Sequence, residues 1–313
     1  MIVFPVVLAG GFGERLFPFS TKELPKQYIK FLNSGESLFE KTIRRIRMCV
    51  KEEKIVIVCN VLHRKIVIEQ MAKLSDDNYV IILEPERKNT MFSLLLALKL
   101  SEYRCPDFLF VSPSDSYIKD VLSFSKCCKN AFVFCSLSRK HVLFGIKPTE
   151  ANTNYGYIEI GEILQQHCDT KTTHVKDLER CDFYSVKSFQ EKPDRQKANE
   201  YFKSKNFLWN SGCFIFNRQA LLDELQQKHS EYIDFLQKIK VVKTGDKIFE
   251  ISASSVDYFN SFKNAQIDKS FVEKSKNLTC IKANFDWHDV GSFDILNKIG
   301  NETSKAFTAE KPN

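Results

Sequence analysis

The sequence predicts an α/β fold in which helices flank both faces of a mostly parallel sheet, with a smaller β-rich extension. Three observations support this prediction. Short β-branched and aromatic runs alternate with helical patterns through the first half of the chain. The 313 residues, 43% hydrophobic and 27% charged, are enough for a large buried core. No Pro/Ser-rich linker and no internal repeat divides the chain, which favours one elaborated domain over two.

Strand-like and helix-like segments take turns in the first half. The predicted strands are Ile2–Leu8, Ile55–Cys59, Tyr79–Leu83, Phe108–Val111 and Ala131–Leu137. The predicted helices are Ser37–Arg47, Leu62–Lys73, Thr90–Ser101 and Lys119–Lys129, with Thr90 as an N-cap. Such alternation predicts parallel strands joined by right-handed crossovers. Ligands of these folds bind beyond the carboxyl ends of the strands, so the positions after Leu8, Leu83 and Val111 are of interest.

From about Leu143 the pattern changes to short strands with fewer helices. The predicted strands are Tyr155–Ile160, Phe183–Phe189 and Cys213–Phe216, and the predicted helices are Asp194–Lys203 and Gln219–Gln227. We expect this half to extend the same sheet and to form one wall of a cleft. The polar stretch 161–185 is interpreted as a surface excursion, and residues 300–313 as a mobile tail.

The charge balance is mildly basic. Forty-six Lys and Arg against 39 Asp and Glu leave a net charge of +7, which suits an anionic small molecule as well as nucleic acid. A basic cluster, Lys41, Arg44, Arg45 and Arg47, falls on a predicted helix without aromatic neighbours. We interpret it as a solvated helix face and expect no nucleic-acid partner.

The cysteine pattern gives no sign of a metal or disulfide framework. Ten cysteines occur without a Cys-x-x-Cys pair or a Cys/His spacing that would hold zinc. We interpret them as small buried residues in a reducing, cytoplasmic environment. No apolar run approaches the length of a membrane span, so no membrane partner is expected.

A glycine-rich run, L-A-G-G-F-G-E-R-L-F-P, follows the first predicted strand. Gly10, Gly11 and Gly13 let backbone N–H groups approach a phosphate closely. A dinucleotide fingerprint would need a third glycine where Leu16 stands, and the Gly-Lys-Ser/Thr of a Walker loop is absent. Arg15 and Lys26 are two cations that could clamp a triphosphate. By itself, the run could equally be a glycine-rich turn with solvated charges.

Eight motifs, the glycine run among them, follow one another along the chain. They are Leu8–Pro18 with L-P-K-Q (Leu24–Gln27), E-P-E-R-K-N-T (Glu84–Thr90), V-S-P-S-D (Val111–Asp115), F-G-I-K-P (Phe144–Pro148), N-Y-G-Y-I (Asn154–Ile158), F-Q-E-K-P-D (Phe189–Asp194), W-N-S-G (Trp209–Gly212) and D-W-H-D-V-G-S (Asp286–Ser292). From Val7 to about Phe293 this series resembles the mannose-1-phosphate guanylyltransferase branch of the sugar-1-phosphate nucleotidyltransferases.

The resemblance implies a Rossmann-like, GT-A-type nucleotidyltransferase domain over residues 1–299. Residues 1–142 would mainly bind nucleotide and 143–299 mainly sugar phosphate. The implied reaction joins mannose 1-phosphate to the α-phosphorus of GTP, giving GDP-mannose and pyrophosphate without a covalent intermediate. Because a phosphomonoester with a second pKa near ~6 is largely ionised at neutral pH, no general base is needed. Cations and Mg²⁺ must overcome the repulsion between two polyanions.

The resemblance also implies site residues. Its nucleotide-binding set is Leu8, Ala9, Gly10, Gly11, Gly13, Glu84, Arg87, Asn89, Thr90 and Pro113. Either Glu84 or a carbonyl near Pro113 would distinguish guanine from adenine. The residues Met91–Ser93 and His288 differ from the usual pattern of the branch and bear on the base and metal preferences.

For the chemistry, the catalytic set is Arg15, Lys26, Asp115 and Lys192, and the sugar-phosphate set is Gly156, Glu191, Lys192 and Asn210. The metal ligands implied by the resemblance are Asp115 and Asp289, with Asp286 as the competing candidate for the second. Mg²⁺ typically takes one or two protein carboxylates and keeps waters. For a lone Asp, the alternative is a turn or cap residue.

Three alternatives stay open. The chain could use another sugar 1-phosphate and nucleoside triphosphate, or it could be a catalytically silent homologue that binds nucleotide sugars. A glycosyltransferase on a similar sheet is less favoured, because no two Asp residues are separated by one position. Many bacterial relatives continue into a phosphomannose isomerase domain, for which this chain ends too soon, and we expect a single-activity enzyme. A homodimer is compatible with the resemblance.

Overall fold

The computed structural model describes residues 1–13, 16–30, 35–165, 181–292, 295, 296 and 299. Within them the chain forms a large mixed sheet with helices on both faces, as the α/β prediction required. The strands are β1 Val3–Leu8, β2 Ile55–Asn60, β3 Tyr79–Glu84, β4 Phe108–Pro113, β5 Ser116–Tyr117, β6 His141–Ile146, β7 Gly156–Gln165, β8 Phe183–Glu191, β9 Phe207–Asn217, β10 Val241–Lys243, β11 Ile248–Ile251, β12 Leu278–Lys282 and β13 His288–Asp289. The helices are α1 Leu38–Cys49, α2 Arg64–Lys73, α3 Thr90–Ser101, α4 Val121–Ser138, α5 Arg195–Ser204, α6 Arg218–Lys228, α7 Ser230–Lys238, α8 Ala253–Asn260 and α9 Ile267–Ser270.

The main sheet has the strand order β10-β11-β3-β2-β1-β4-β9-β6-β12-β8-β7. The strands β3, β2, β1 and β4 are parallel, so their carboxyl ends meet at one edge. The next strand, β9, runs antiparallel to both β4 and β6. A separate two-stranded sheet joins β5 to β13.

Strands from the second half extend the sheet in both directions. As predicted, β7, β8 and β9 continue it beyond β4. Two strands that the sequence did not predict, β10 and β11, return to the far edge, where β11 lies parallel to β3. Both halves of the chain therefore contribute strands on either side of the central strand β1.

Alternating side chains of the central strands enter two hydrophobic layers. On β1, Val3 and Val7 pack with α1 and α4, while Phe4 and Val6 pack with α3 and the helices after β9. Both faces of the central strands are thus covered, which explains why these strands read as continuous apolar runs.

Helix starts are set by short polar caps. The Ser37 hydroxyl accepts from the Glu40 N–H, and the Glu40 carboxylate accepts from the Ser37 N–H, forming a capping box for α1. Asp194 and Asn217 cap α5 and α6 in a similar way, with their side chains accepting backbone N–H groups.

Two sequence expectations are wrong in this region. Residues 131–137 are not a strand but the second half of α4, because Phe124, Cys128 and Ala131 recur at helical spacing and bury one face. Arg45 is not on a solvated face. It is 1% exposed, and its guanidinium lies 5.2 Å from the centre of the Phe124 ring.

Two other expectations lie partly or wholly outside the described residues. The polar excursion 161–185 begins as the end of β7 and finishes in β8, and residues 166–180 between them are not described. Residues 300–313 are not described either. Among the residues that are, no helix combines the length and hydrophobicity needed to cross a membrane.

Candidate active site

The glycine loop, residues 9–13, follows β1 at the carboxyl edge of the sheet. The L-P-K-Q motif folds back beneath it. The Gln27 amide donates to the carbonyl oxygens of Ala9 and Gly11, at 3.1 and 2.7 Å, and the Tyr28 hydroxyl donates to Ala9 at 2.9 Å. Because these hydrogen bonds hold the carbonyl groups of Ala9 and Gly11, they help fix the backbone of the loop. This role of Gln27 and Tyr28 was not predicted from the sequence.

Gly13 occupies a position that favours glycine. Its φ is +68°, and a Cβ there would lie 2.7 Å from Lys26 Cγ. This close approach places the Lys26 side chain directly under the loop. Arg15, the other predicted cation, lies outside the described residues.

Lys26 joins two distant acidic residues. Its Nζ lies 2.9 Å from Asp115 Oδ2 and 3.4 Å from Asp289 Oδ1, and it donates to the Val290 carbonyl at 2.9 Å. The small sheet aligns the two acids, since Ser116 in β5 pairs with Asp289 in β13. The structure therefore brings together the two carboxylates that the resemblance implies as metal ligands.

Asp286 has a different environment. Its carboxylate accepts the backbone N–H groups of Lys119 at 3.0 Å and Asp120 at 2.8 Å, at the turn that leads into α4. Both of its oxygens are engaged there. The geometry thus favours Asp289 over Asp286 as the partner of Asp115.

The donor set of Asp115 and Asp289 fits Mg²⁺. It consists of carboxylate oxygens only, and one ammonium group lies between the two negative charges. No cluster of three or more His, Cys, Asp or Glu side chains suited to a metal occurs in the described part of the chain. A Mg²⁺ ion held here would therefore take its remaining ligands from water or substrate.

A cavity of about 240 Å³, the loop cavity, opens beside the glycine loop. It is lined by most of the predicted nucleotide-binding residues: Leu8, Gly10, Gly11, Glu84, Arg87, Asn89, Thr90 and Pro113, together with Asp115. Of that predicted set, Ala9 and Gly13 belong to the loop but do not line the cavity. The cavity lies at the carboxyl ends of β1, β3 and β4, where the topology predicted it.

Glu84 is a buried acid of this cavity. It is 3% exposed, its Oε1 accepts from the Ser93 hydroxyl at 2.8 Å, and a Cβ on Gly10 would lie 3.0 Å from its Oε2. Burial raises the pKa of Glu84 to about 7, and the Ser93 hydrogen bond opposes that rise. Its carboxyl group can therefore change charge near neutral pH.

Helix α3 points its amino terminus at the loop cavity. Thr90 is its first residue rather than its N-cap, which is Asn89 at φ +64°. The Thr90 hydroxyl instead accepts from the Ile267 N–H at 3.0 Å, which ties α3 to α9. Helix amino termini favour anions, so this end suits phosphate or polar groups of a nucleotide.

Aromatic residues stabilise the surroundings of the loop. The Arg87 guanidinium lies 5.4 Å from the centre of the Phe12 ring, and Phe12 meets His63 edge to face. Phe92, one of the residues that depart from the branch pattern, points away into a cluster of aromatic rings in the hydrophobic layer. The presence of Phe92 at this position therefore affects the packing of the hydrophobic layer.

The predicted sugar-phosphate residues converge where the start of β7 and the end of β8 meet the first half of β9. Gly156 pairs with Glu191, and a Cβ on Gly156 would lie 2.6 Å from Glu191 Oε2. Lys192, at φ +49°, holds its Nζ 3.2 Å from Glu191 Oε1. Asn210 on β9 is 8% exposed. The close approach at Gly156 leaves no room for a side chain, which explains the glycine.

Asp268 was not found from the sequence. It lines the loop cavity and accepts the Asn210 amide at 2.8 Å. Burial, followed by the negative charge of Glu191, raises the pKa of Asp268 to about 7. It stands on the four-residue helix α9, which gives no periodic signal, so no pattern could have singled it out.

A larger hollow of about 690 Å³, the outer hollow, lies on the other side of Asp289. Tyr155 packs between Trp209 and Trp287 in its wall, with ring centres 4.9 and 5.2 Å away. His288 lines it too and pairs with Tyr117 across the small sheet. Asp115 thus borders the loop cavity while Asp289 borders the outer hollow.

Comparison with known proteins identifies the family. The sequence matches the nucleotidyl transferase family over residues 4–306. This chain belongs to that family. The match spans both halves of the sheet and every described site residue, so the cavities above are those of a family member.

Two curated relatives illustrate the similarity in sequence. A mannose-1-phosphate guanylyltransferase of Escherichia coli is 31% identical, over 96% of this chain and 62% of its own length. The mannose-1-phosphate guanylyltransferase RfbM of Salmonella typhimurium strain LT2 is 33% identical, over 96% of this chain and 60% of its own. This family member therefore spans about three fifths of those relatives.

In fold, this chain resembles a crystal structure described as a mannose-1-phosphate geranyltransferase from Thermus thermophilus. The TM-score is 0.77 at 24% identity, and the match covers 96% of this chain and 79% of that one. The likeness establishes the same α/β architecture.

Proposed function

We propose that this chain transfers GMP from GTP to α-D-mannose 1-phosphate, giving GDP-mannose and pyrophosphate. The observation that carries the proposal is the position of the Asp115, Asp289 and Lys26 cluster between two cavities. A nucleotide in the loop cavity would bring its phosphates to these charges, and the predicted sugar-phosphate residues adjoin the same cavity through the hydrogen bond from Asn210 to Asp268. The relatives named mannose-1-phosphate guanylyltransferase support this pair of substrates.

The reaction needs alignment and neutralised charge rather than a base. A phosphate oxygen of mannose 1-phosphate forms a bond to the α-phosphorus of GTP, and the bond from that phosphorus to pyrophosphate breaks. Lys26, under the glycine loop, and Arg15, by its position in the motif, are the cations assigned to the triphosphate. Lys192 is assigned to the sugar phosphate. Opposing cations favour in-line attack because they hold two anions together.

Asp115 and Asp289 would hold Mg²⁺ in this proposal. The ion, when bound, would neutralise charge on the phosphates of both reactants. The two carboxylates fix its place relative to the glycine loop, because the pairing of β5 with β13 sets their separation. Lys26 contributes a fixed positive charge beside them.

The sugar is assigned to the cluster formed by Gly156, Glu191 and Asn210. The Glu191 carboxylate would accept hydrogen bonds from sugar hydroxyls, and Asn210 would offer its amide. Guanine is assigned to the loop cavity near Glu84, whose carboxylate can accept the N1–H and 2-amino groups that adenine lacks. The carbonyl of Pro113 is the alternative reader.

A substrate panel tests the proposal. The purified chain is supplied with GTP, ATP, UTP or dTTP and with mannose or glucose 1-phosphate, and pyrophosphate release is measured with and without Mg²⁺. We expect the highest kcat/KM for GTP with mannose 1-phosphate, and no release without Mg²⁺. A clear preference for UTP or dTTP with glucose 1-phosphate would refute the substrate assignment, and binding without release would indicate a silent homologue.

A further inference from the structure

A buried carboxyl–amide pair links the two substrate sides of the site. Asp268 lines the loop cavity, yet its Oδ1 accepts the amide N–H of Asn210, which belongs to the sugar-phosphate set. The other end of that amide is also fixed, because Asn210 Oδ1 accepts the Gly212 N–H at 3.1 Å. With both ends bonded, the Asn210 side chain has one orientation, and its second amide hydrogen has a fixed direction.

Charged groups face this pair from several elements. Glu191 and Lys192 approach from the end of β8, Lys269 neighbours Asp268 on its own helix, and Glu273 accepts the Glu191 N–H at 2.7 Å. The cavity that Asp268 lines is also lined by Glu84, Arg87 and Asp115. Asp268 therefore shares its cavity with Glu84 and is also close enough to Glu191 for that negative charge to oppose its ionisation.

We propose that Asp268 is a positioning residue for the sugar phosphate, because it holds the Asn210 amide in its binding orientation. This inference rests on the proposed function, which places the sugar phosphate at Asn210. As a neutral acid, Asp268 keeps one oxygen for Asn210 and has a hydroxyl hydrogen to donate. It also spares the incoming dianion a repulsive charge.

The raised pKa of Asp268 is consistent with this role. At about 7, it leaves the carboxyl group about half protonated at pH 7, because burial and the Glu191 charge oppose ionisation more than Lys192 and the Asn210 hydrogen bond favour it. A bound sugar phosphate would oppose ionisation further. Above pH 7 the free protein would lose that proton, and binding of the dianion would weaken.

Two substitutions separate positioning from packing. Asp268→Asn keeps the shape and still accepts from Asn210, while its own amide replaces the acid's donor. We expect its KM for mannose 1-phosphate to stay within about 3-fold of the unmodified chain at pH 6.5. Asp268→Ala removes the acceptor, and we expect that KM to rise about 10-fold or more, with the KM for GTP changing less than about 3-fold. Asp257→Asn, on the exposed side of α8, is the matched control.

Two further readouts exclude a merely structural role. In a double-mutant cycle, Asn210→Ala combined with Asp268→Ala should cost no more than Asn210→Ala alone, because Asp268 acts through Asn210. Between pH 6.5 and 8.5 the KM for mannose 1-phosphate should rise in the unmodified chain and stay flat in Asp268→Asn. Additive losses, a pH profile common to both proteins, or unchanged kinetics in Asp268→Ala would overturn the inference.

Failure of the proposed function can be told apart from failure of this inference. If the unmodified chain releases no pyrophosphate with any substrate pair, the reaction is wrong, and mannose 1-phosphate is titrated calorimetrically into the three Asp268 forms instead. Weaker binding by Asp268→Ala, but not by Asp268→Asn, would support the positioning role. Equal affinities, or no binding by the unmodified chain, would overturn it.

Discussion

The Lys26 ammonium lies 2.9 Å from the Asp115 carboxylate, under the glycine loop and beside β13. The side chain of Lys26 is 6% exposed, whereas that of Asp115 is 37% exposed and faces the loop cavity. The same ammonium also reaches Asp289. One buried cation thus holds together the two acids assigned to Mg²⁺, and in the proposed reaction it competes with the ion for their oxygens.

The first prediction concerns that competition. Lys26→Met keeps most of the buried stem but removes the charge, so we expect kcat/KM to fall by about 10²-fold, comparable to losing one electrostatic contact in the transition state. Without the Lys26 ammonium beside them, the two acids should bind Mg²⁺ more tightly. Thermal unfolding with increasing Mg²⁺ should show saturation at a lower concentration than in the unmodified chain. Lys30→Met, at an exposed lysine, is the control and should change neither quantity.

The second prediction separates the candidate metal ligands. Asp115→Asn and Asp289→Asn should each lower kcat/KM by about 10²-fold or more and shift the Mg²⁺ requirement upward. Asp286→Asn removes the negative charge and replaces one of the two oxygens that accept the Lys119 and Asp120 N–H groups, so it should lower the melting temperature without changing that requirement. Activity is measured over a Mg²⁺ series at fixed substrate. A normal Mg²⁺ profile in Asp289→Asn would assign the second ligand elsewhere.

Much of the fold could be predicted from the sequence because the central strands are easy to recognise. Strands β1 to β4 are short apolar runs between helical patterns, and the topology rules then placed the cleft at their carboxyl ends. The run 131–137 misled because a helix buried over a long face is rich in the same aromatic residues as a strand. Only its spacing with Phe124 and Cys128 distinguishes the two.

The site was predictable only where a motif carried it. Lys26, Asp115 and Asp289 belong to motifs, so the resemblance could name them, although no local pattern says that β5 and β13 pair. Gln27 acts through bonds to backbone carbonyls, and Asp268 comes from a four-residue helix. Contacts between parts of the chain this far apart leave no periodic trace in the sequence.

The third prediction concerns the glycine loop. Gly13 has φ +68°, and a Cβ would lie 2.7 Å from Lys26 Cγ, so Gly13→Ala should both strain the backbone and displace Lys26. We expect a loss of about 1–3 kcal/mol in the free energy of unfolding and a fall in kcat/KM. Gly11→Ala is the matched control for stability, because no atom lies within 4 Å of a Cβ there. Urea unfolding and steady-state kinetics on both variants check this, and equal behaviour would contradict it.

The fourth prediction asks which group reads the base. If the Glu84 carboxylate accepts both the N1–H and the 2-amino group of guanine, Glu84→Gln should lower kcat/KM for GTP by about 10- to 100-fold. The loss for ITP, which lacks the 2-amino group, should be smaller, so the GTP-to-ITP ratio should fall. Ser93→Ala removes the hydroxyl that donates to Glu84 but keeps both carboxylate oxygens, so it should change the GTP-to-ITP ratio less than Glu84→Gln does. An unchanged ratio in Glu84→Gln would assign recognition to a backbone carbonyl such as that of Pro113.

The last prediction follows from the two buried acids of the loop cavity. Burial raises the pKa of both Glu84 and Asp268 to about 7, whereas in the unfolded chain each titrates near ~4. Between these values the folded chain holds more protons than the unfolded chain, so each acid makes the free energy of unfolding fall as pH rises from about 4 to 7.

Glu84→Gln and Asp268→Asn remove that dependence, and each variant should gain stability relative to the unmodified chain as pH rises through this window. Urea unfolding at intervals between pH 5 and 8 measures the difference, and a difference independent of pH would mean that the acids ionise normally. Glu224 contributes to the pH dependence of stability in the opposite direction: burial alone would raise the pKa of its carboxyl group, but its contacts with His141 lower that pKa. Because Glu224 is present in every protein compared, its contribution cancels.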